Sequence, residues 1–136
     1  MSRRPVEKIV ADLVDAADAA RELVARGRGA YDSDRLLRLA GEAVVGRIGD
    51  AAAKLRDHVP DDLPDEIPWD DVIANRIIVD HVYHRVDYEA LWNTLERDVP
   101  KLAGVLVSWA QDRGVQFDFP SQTERDFGDR GRGLGR

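Results

Sequence analysis

The sequence predicts an all-α protein: an antiparallel up-and-down bundle of four main helices, followed by a disordered C-terminal tail. Three observations carry that reading. Apolar residues recur at steps of three and four from Val6 to Trp109, which is the period of a helix with one buried face. The gaps between these runs hold Gly, Pro and short acidic stretches, the chemistry of helix stops and starts. The composition, 43% hydrophobic and 34% charged over 136 residues, suits one core wrapped in solvated faces rather than two domains or an unfolded chain.

The first helix is expected from Pro5 to Arg26, with Val6, Ile9, Val10, Leu13, Ala17, Ala20 and Val24 on one face and Gly27 and Gly29 as its stop. Asp32-Ser33-Asp34 then offers capping oxygens for a second helix carrying Leu36, Leu37, Ala40, Val44, Ile48, Ala52 and Leu55, ending near His58. Gly41, Gly46 and Gly49 fall inside it. Each costs a helix roughly 1 kcal/mol relative to Ala, so they are expected where another helix comes close, within the chain or across a dimer. Val59 to Pro68 reads as a loop of prolines and acids, and Pro68 opens a third helix with Trp69, Val72, Ile73 and Ile77 on its buried side, running to about Tyr83. Asp87 is the expected N-cap of a fourth helix striped by Leu91, Leu95, Leu102, Leu106 and Trp109, which Pro100 must kink or interrupt. The bundle is accordingly placed at residues 1–113 and the Gly/Arg/Asp-rich tail at 114–136.

The net charge of −6 has the wrong sign for a protein that coats nucleic acid with its whole surface. Any RNA contact must be local, and the acidity would suit a basic protein partner. No basic recognition helix is visible, so DNA binding is not expected. The absence of cysteine excludes disulfides, thiolate metal sites and cysteine nucleophiles. No stretch approaches a membrane span, and the N-terminus runs straight into an amphipathic pattern, so a cytoplasmic protein without membrane contact is expected. Asp61, Asp62, Asp65 and Glu66 are read as solvated acids rather than a metal site, and the tryptophans Trp69, Trp92 and Trp109 as core or interface anchors rather than base-stacking platforms.

Chemistry concentrates in one segment. Two of the three histidines, His81 and His84, lie in the run Asn75-Arg76-Ile77-Ile78-Val79-Asp80-His81-Val82-Tyr83-His84-Arg85. An imidazole moves a proton near neutral pH, and a guanidinium presents a planar donor fork to phosphate. Phosphodiester cleavage without a metal needs that pair: a base for a 2′-hydroxyl and a cation for the phosphorane. Five positions on an ideal helix differ by about 140° in direction, so convergence of Arg76 and His81 needs a frayed helix or a second chain. By spacing alone a plainer account outweighs this one, with Arg76 and Asp80 as an exposed i,i+4 ion pair and the histidines as helix-end residues.

The blocks Ile67-Pro68-Trp69, Arg76 through His81 and Tyr83, Val86-Asp87-Tyr88-Glu89-Ala90-Leu91-Trp92 and Asp98-Val99-Pro100-Lys101-Leu102 together resemble the HepT-like HEPN toxins. The signature of that family is Arg-x-x-x-x-His-x-Tyr between such flanks, and the likeness extends weakly into Ile48-Gly49-Asp50-Ala51-Ala52. It implies a HEPN-like helical homodimer acting on RNA as a metal-independent endoribonuclease, without a cofactor. It also implies a nucleotidyltransferase antitoxin that transfers AMP to the signature tyrosine. By matching position, Arg76 would stabilise the phosphate, His81 would be the acid/base group and Tyr83 the AMPylation point, with His84 and Arg85 at the rim of the RNA site. Two residues depart from the pattern: Ile77 stands where the family usually has a polar residue, and Asp80 precedes His81, where a carboxylate would compete with RNA for Arg76. Both features favour the competing reading, a non-catalytic helical dimer or adaptor that docks a nucleotidyltransferase.

Overall fold

The computed structural model describes residues 4–74, 79–80 and 85–115. Helix α1 (Arg4–Ala25) closes at Gly27, whose φ of +93° suits a residue without a Cβ. The segment expected to be a glycine-rich break is instead a short helix, α2 (Arg28–Ser33). It exists because Tyr31 is fully buried: its ring lies 5.0 Å from that of Trp92, and its hydroxyl donates to the Tyr88 carbonyl at 2.7 Å. Asp34 caps α3 (Arg35–His58), its carboxylate accepting from the Leu36 amide at 2.9 Å. Start and stop of this helix both fall where the sequence put them.

Helices α1 and α3 pack along their length, joined by the short α2 turn, which makes them antiparallel. The Arg47–Asp15 ion pair links the two helices at mid-length. The third long rod is composite. It consists of α5 (Tyr88–Asn93), a π-helical turn at Thr94–Asp98, and α6 (Val99–Asp112). Asp87 caps α5 through the Ala90 amide, as its position predicted. Pro100 sits in the first turn of α6, where a missing N–H is least costly, and the wide turn before it sends the Val99 N–H to Thr94. The interruption expected at Pro100 is thus displaced one turn upstream.

Leu13, Leu55, Leu91, Leu95 and Leu106 are fully buried between the rods. Gly41 allows the close approach of α3 to the composite rod, because a Cβ there would lie 2.9 Å from Leu95 Cδ1 and 3.3 Å from Leu91 Cδ2. At the other end, Trp109 Nε1 and Arg113 both donate to the Asp62 carbonyl, at 2.8 and 2.9 Å, fastening the loop after α3 to the end of α6. The Arg113 guanidinium also pairs with the Asp62 carboxylate. These contacts make α3 and the composite rod parallel, as the second and fourth members of an up-and-down bundle must be. Val115 closes this end, buried, with its N–H on Ala110. Among the described residues no helix is long and apolar enough to cross a membrane.

The third helix departs from expectation. Only α4 (Trp69–Ala74) is helical among its described residues, and Val79–Asp80 (β1) is extended, paired antiparallel with Arg85–Val86 (β2). A helix running to Tyr83 is therefore excluded. The run Ile77-Ile78-Val79 and the later Val82 and Val86 are β-branched, stiff at χ1 and better suited to extended backbone than to helix interiors. The fold class is unaffected: the architecture is all-α with a minimal strand pair in one connection. Ile77 and the tail residues 116–136 lie outside the described residues.

Candidate functional site

Residues 69 to 88 form the return leg of the bundle, and the structure fixes both of its ends to α3. At the upstream end Arg56 of α3 donates to Asp70 at 2.6 Å, while Trp69 is half-buried against the core and donates its Nε1 to the Pro64 carbonyl at 3.1 Å. At the downstream end Tyr88 donates to Glu42 of α3 at 3.0 Å. Glu42 and Arg56 are about 21 Å apart along the helix at 1.5 Å per residue. The two anchors thus lie toward opposite ends of α3, Asp70 beside its last turns and Tyr88 beside its first.

The downstream anchor is a small network. Tyr31 donates to the Tyr88 carbonyl, Arg38 donates to the carbonyls of Tyr31 and Asp32 at 3.0 and 2.6 Å, and the same guanidinium lies 5.4 Å over the Tyr88 ring. Burial pushes the Tyr31 hydroxyl up to about 12, so it stays a donor at any physiological pH. The Tyr88 hydroxyl is also raised, first by burial and then by its bond to Glu42. None of Tyr31, Glu42 and Arg38 stood out in the sequence as support for the leg. Tyr31 is a lone aromatic in a polar stretch, and that isolation is the only signal it gives.

Arg76, His81, Tyr83 and His84 lie outside the described residues, and Arg85 is described in its backbone position only. What the structure gives is the frame around them. Arg76 is two residues beyond the end of α4, and His81 through His84 connect the paired positions Asp80 and Arg85. Asp80 has Arg85 as its cross-strand Cα partner. Trp92 and Trp109 are core residues, 5% and 8% exposed, in keeping with their reading as anchors.

A cleft of about 830 Å³ opens beside α4, between α3 and the composite rod. Val45, Ile48, Ile67, Val72, Leu102 and Val105 form its apolar walls, and Ala74, the last described residue before the signature, is on its lining. Its polar groups are Glu66, Asp71, Asp98, Lys101 and Thr94. Among the described lining residues three carboxylates stand against one ammonium, a poor bed for a phosphate. Among the described residues no cluster of three or more His, Asp or Glu side chains could hold a metal ion.

The family profile described as ribonuclease HepT-like matches residues 13–108, from within α1 to within α6. A curated protein of Methanocaldococcus jannaschii, named "Putative RNase MJ1380", is 26% identical over 103 residues, covering 75% of this chain and 94% of that protein. No solved structure matches the chain. The matched region contains the whole return leg with both of its anchors, so sequence likeness and architecture meet on the same residues. The chain belongs to the HepT-like ribonuclease family.

Proposed function

We propose that this protein is the toxin of a toxin–antitoxin pair, a metal-independent endoribonuclease of HEPN type that works as a homodimer. The observation that supports the reading is the run Arg76-x-x-x-x-His81-x-Tyr83, which lies in the sequence between two residues anchored to α3, Asp70 and Tyr88, in a chain of the ribonuclease family.

In this scheme the neutral imidazole of His81 takes the proton of a ribose 2′-hydroxyl. The 2′-oxygen attacks the adjacent phosphorus, the bond to the 5′-oxygen breaks, and that oxygen leaves with a proton from a second acid. Arg76 carries the added negative charge of the phosphorane. A two-fold mate supplies a second copy of each group. His84 and Arg85 line the rim. Control comes from a nucleotidyltransferase antitoxin: the Tyr83 hydroxyl attacks the α-phosphorus of ATP, pyrophosphate leaves, and the bound AMP adds bulk and negative charge where RNA must sit.

Partner-free protein incubated with total RNA and EDTA should cleave it, and His81→Ala or Arg76→Ala should lower the rate at least about a hundredfold. Retained cleavage in both variants removes the site assignment. Co-expression with a cognate nucleotidyltransferase should add AMP masses that are absent in Tyr83→Phe.

The second reading, a non-catalytic adaptor for the same partner, draws support from Ile77, from Asp80 and from the acidic cleft beside α4. Absence of growth arrest when the chain is expressed alone would favour it.

A further inference from the structure

All three phenylalanines of the chain, Phe117, Phe119 and Phe127, lie beyond Val115, the last described residue. The buried core of the bundle is built without one, on Leu, Val, Ile, Ala, Tyr and Trp. Segments that stay solvated are poor in aromatic residues, so a stretch that holds every phenylalanine calls for a surface on which to bury them. The later part of that stretch is also basic: Arg130, Arg132 and Arg136 follow Phe127, with Asp129 as the acid among them.

The cleft beside α4 has the complementary character. Its walls are apolar, with Val72 and Val105 half-buried on them, and its volume of about 830 Å³ falls within the roughly 300–1,000 Å³ of clefts that take ligands. Among its described lining residues Glu66, Asp71 and Asp98 stand against Lys101. The loop that carries the first two of these extends the same field, since Asp61, Asp62, Asp65, Glu66, Asp70 and Asp71 fall in one run without a lysine or arginine. Of these six, Asp62 is paired with Arg113 and Asp70 with Arg56. An anionic rim over apolar walls favours a cationic segment with an aromatic anchor.

We infer that the cleft is the seat of the chain's own residues 127–136, with the Phe127 ring against the apolar walls and Arg130 and Arg132 over Glu66, Asp71 and Asp98. Reach permits it. Val115 returns its N–H to Ala110, and Leu102 lies eight residues earlier in α6, about 12 Å away at 1.5 Å per residue. The twelve residues from Val115 to Phe127 can span up to about 40 Å. Phe117 and Phe119 are nearer, but they flank Asp118 and no arginine precedes Arg125 in this stretch, so the acidic rim repels that pair. A segment on such a tether meets the cleft at an effective concentration on the order of 1 mM, and a weak intrinsic affinity is then enough to fill it. The seat is the same whether or not the chain cleaves RNA.

The chain has no cysteine, so a pair of introduced thiols reports on one contact. In the full-length protein carrying Val72→Cys and Gly128→Cys, mild oxidation should close a disulfide within the chain, read by intact mass after alkylation of the remaining thiols. Adding Phe127→Ser, or Arg130→Glu with Arg132→Glu, should slow closure about tenfold or more, and about 1 M salt should slow the parent pair. Glu66→Arg with Asp71→Arg should slow it as well, while reversing both sides together should recover the rate. None of these residues is in the buried core, so the circular dichroism spectrum should be unchanged. Closure at one rate in every background, as random encounters of a tether would give, overturns the proposal. A disulfide that forms only between two chains also overturns it, since the cleft would then take a segment of another copy.

Discussion

Gly41 and Gly46 lie five residues apart on one helix, and both break the same rule of helix propensity. Gly41 faces inward, where Leu91 and Leu95 fill the space a side chain would take. Gly46 is half-buried, and no described side chain lies within 4 Å of a Cβ built there. The difference teaches that one residue type in one helix can be demanded by packing on one side and not on the other: the composite rod requires Gly41, and no described neighbour requires Gly46.

Substitutions on the two faces should separate accordingly, with the largest effects inward. Leu55→Ala removes a fully buried side chain and should cost about 2–5 kcal/mol in urea denaturation; a loss below about 1 kcal/mol would mean the inward face is not the core. Gly41→Val drives branched carbons toward Leu95 and Leu91 and should cost about 1–3 kcal/mol, and tolerance of it would erase the contrast with Gly46. Where the two faces share a beginning, Asp34→Ala removes the oxygen that accepts from Leu36 and should cost about 1 kcal/mol.

Tyr31 tests the network beside that cap through pH. Its hydroxyl is raised from 10.0 to about 12 by burial, so the folded state holds the proton more tightly than the unfolded chain does. The resulting stabilisation is complete below pH 10 and is lost as pH climbs through about 12. Unfolding curves across that window should show the loss in the wild type and a flatter profile in Tyr31→Phe. The smallest effect is at the second glycine: Gly46→Ala should raise stability by roughly 0.5–1 kcal/mol, and destabilisation there would show that the space is already filled.

Much of the architecture was legible because helices that bury one face repeat their apolar residues, and because Asp34 and Asp87 announce helix starts with a side-chain oxygen. The return leg was not. Val72, Ile73 and Ile77 also fit a helical stripe, and periodicity cannot tell a half-buried helix from a β-branched run that prefers extension. The glycines of α3 signalled close approach, but which side each one faced needed coordinates. Arg76 and His81 were singled out by residue type, and together with Tyr83 by the family resemblance, whereas Tyr31, Arg38 and Glu42, which anchor Tyr88, come from a different part of the chain and share no pattern with it.

The wide turn at Thr94–Asp98 carries a consequence for chain length. A π-helical turn is an α-helix that has absorbed one additional residue, and here it lets Leu91 and Leu106 face the same core from either side of Pro100. Deleting one residue within Thr94–Asp98, together with Pro100→Ala, should leave an ordinary helix with both stripes still aligned. The same deletion inside α6 would swing everything after it by about 100° and turn Trp109 toward solvent. Natural or engineered changes in length are therefore tolerable at this one turn of the rod and ruinous a few residues later.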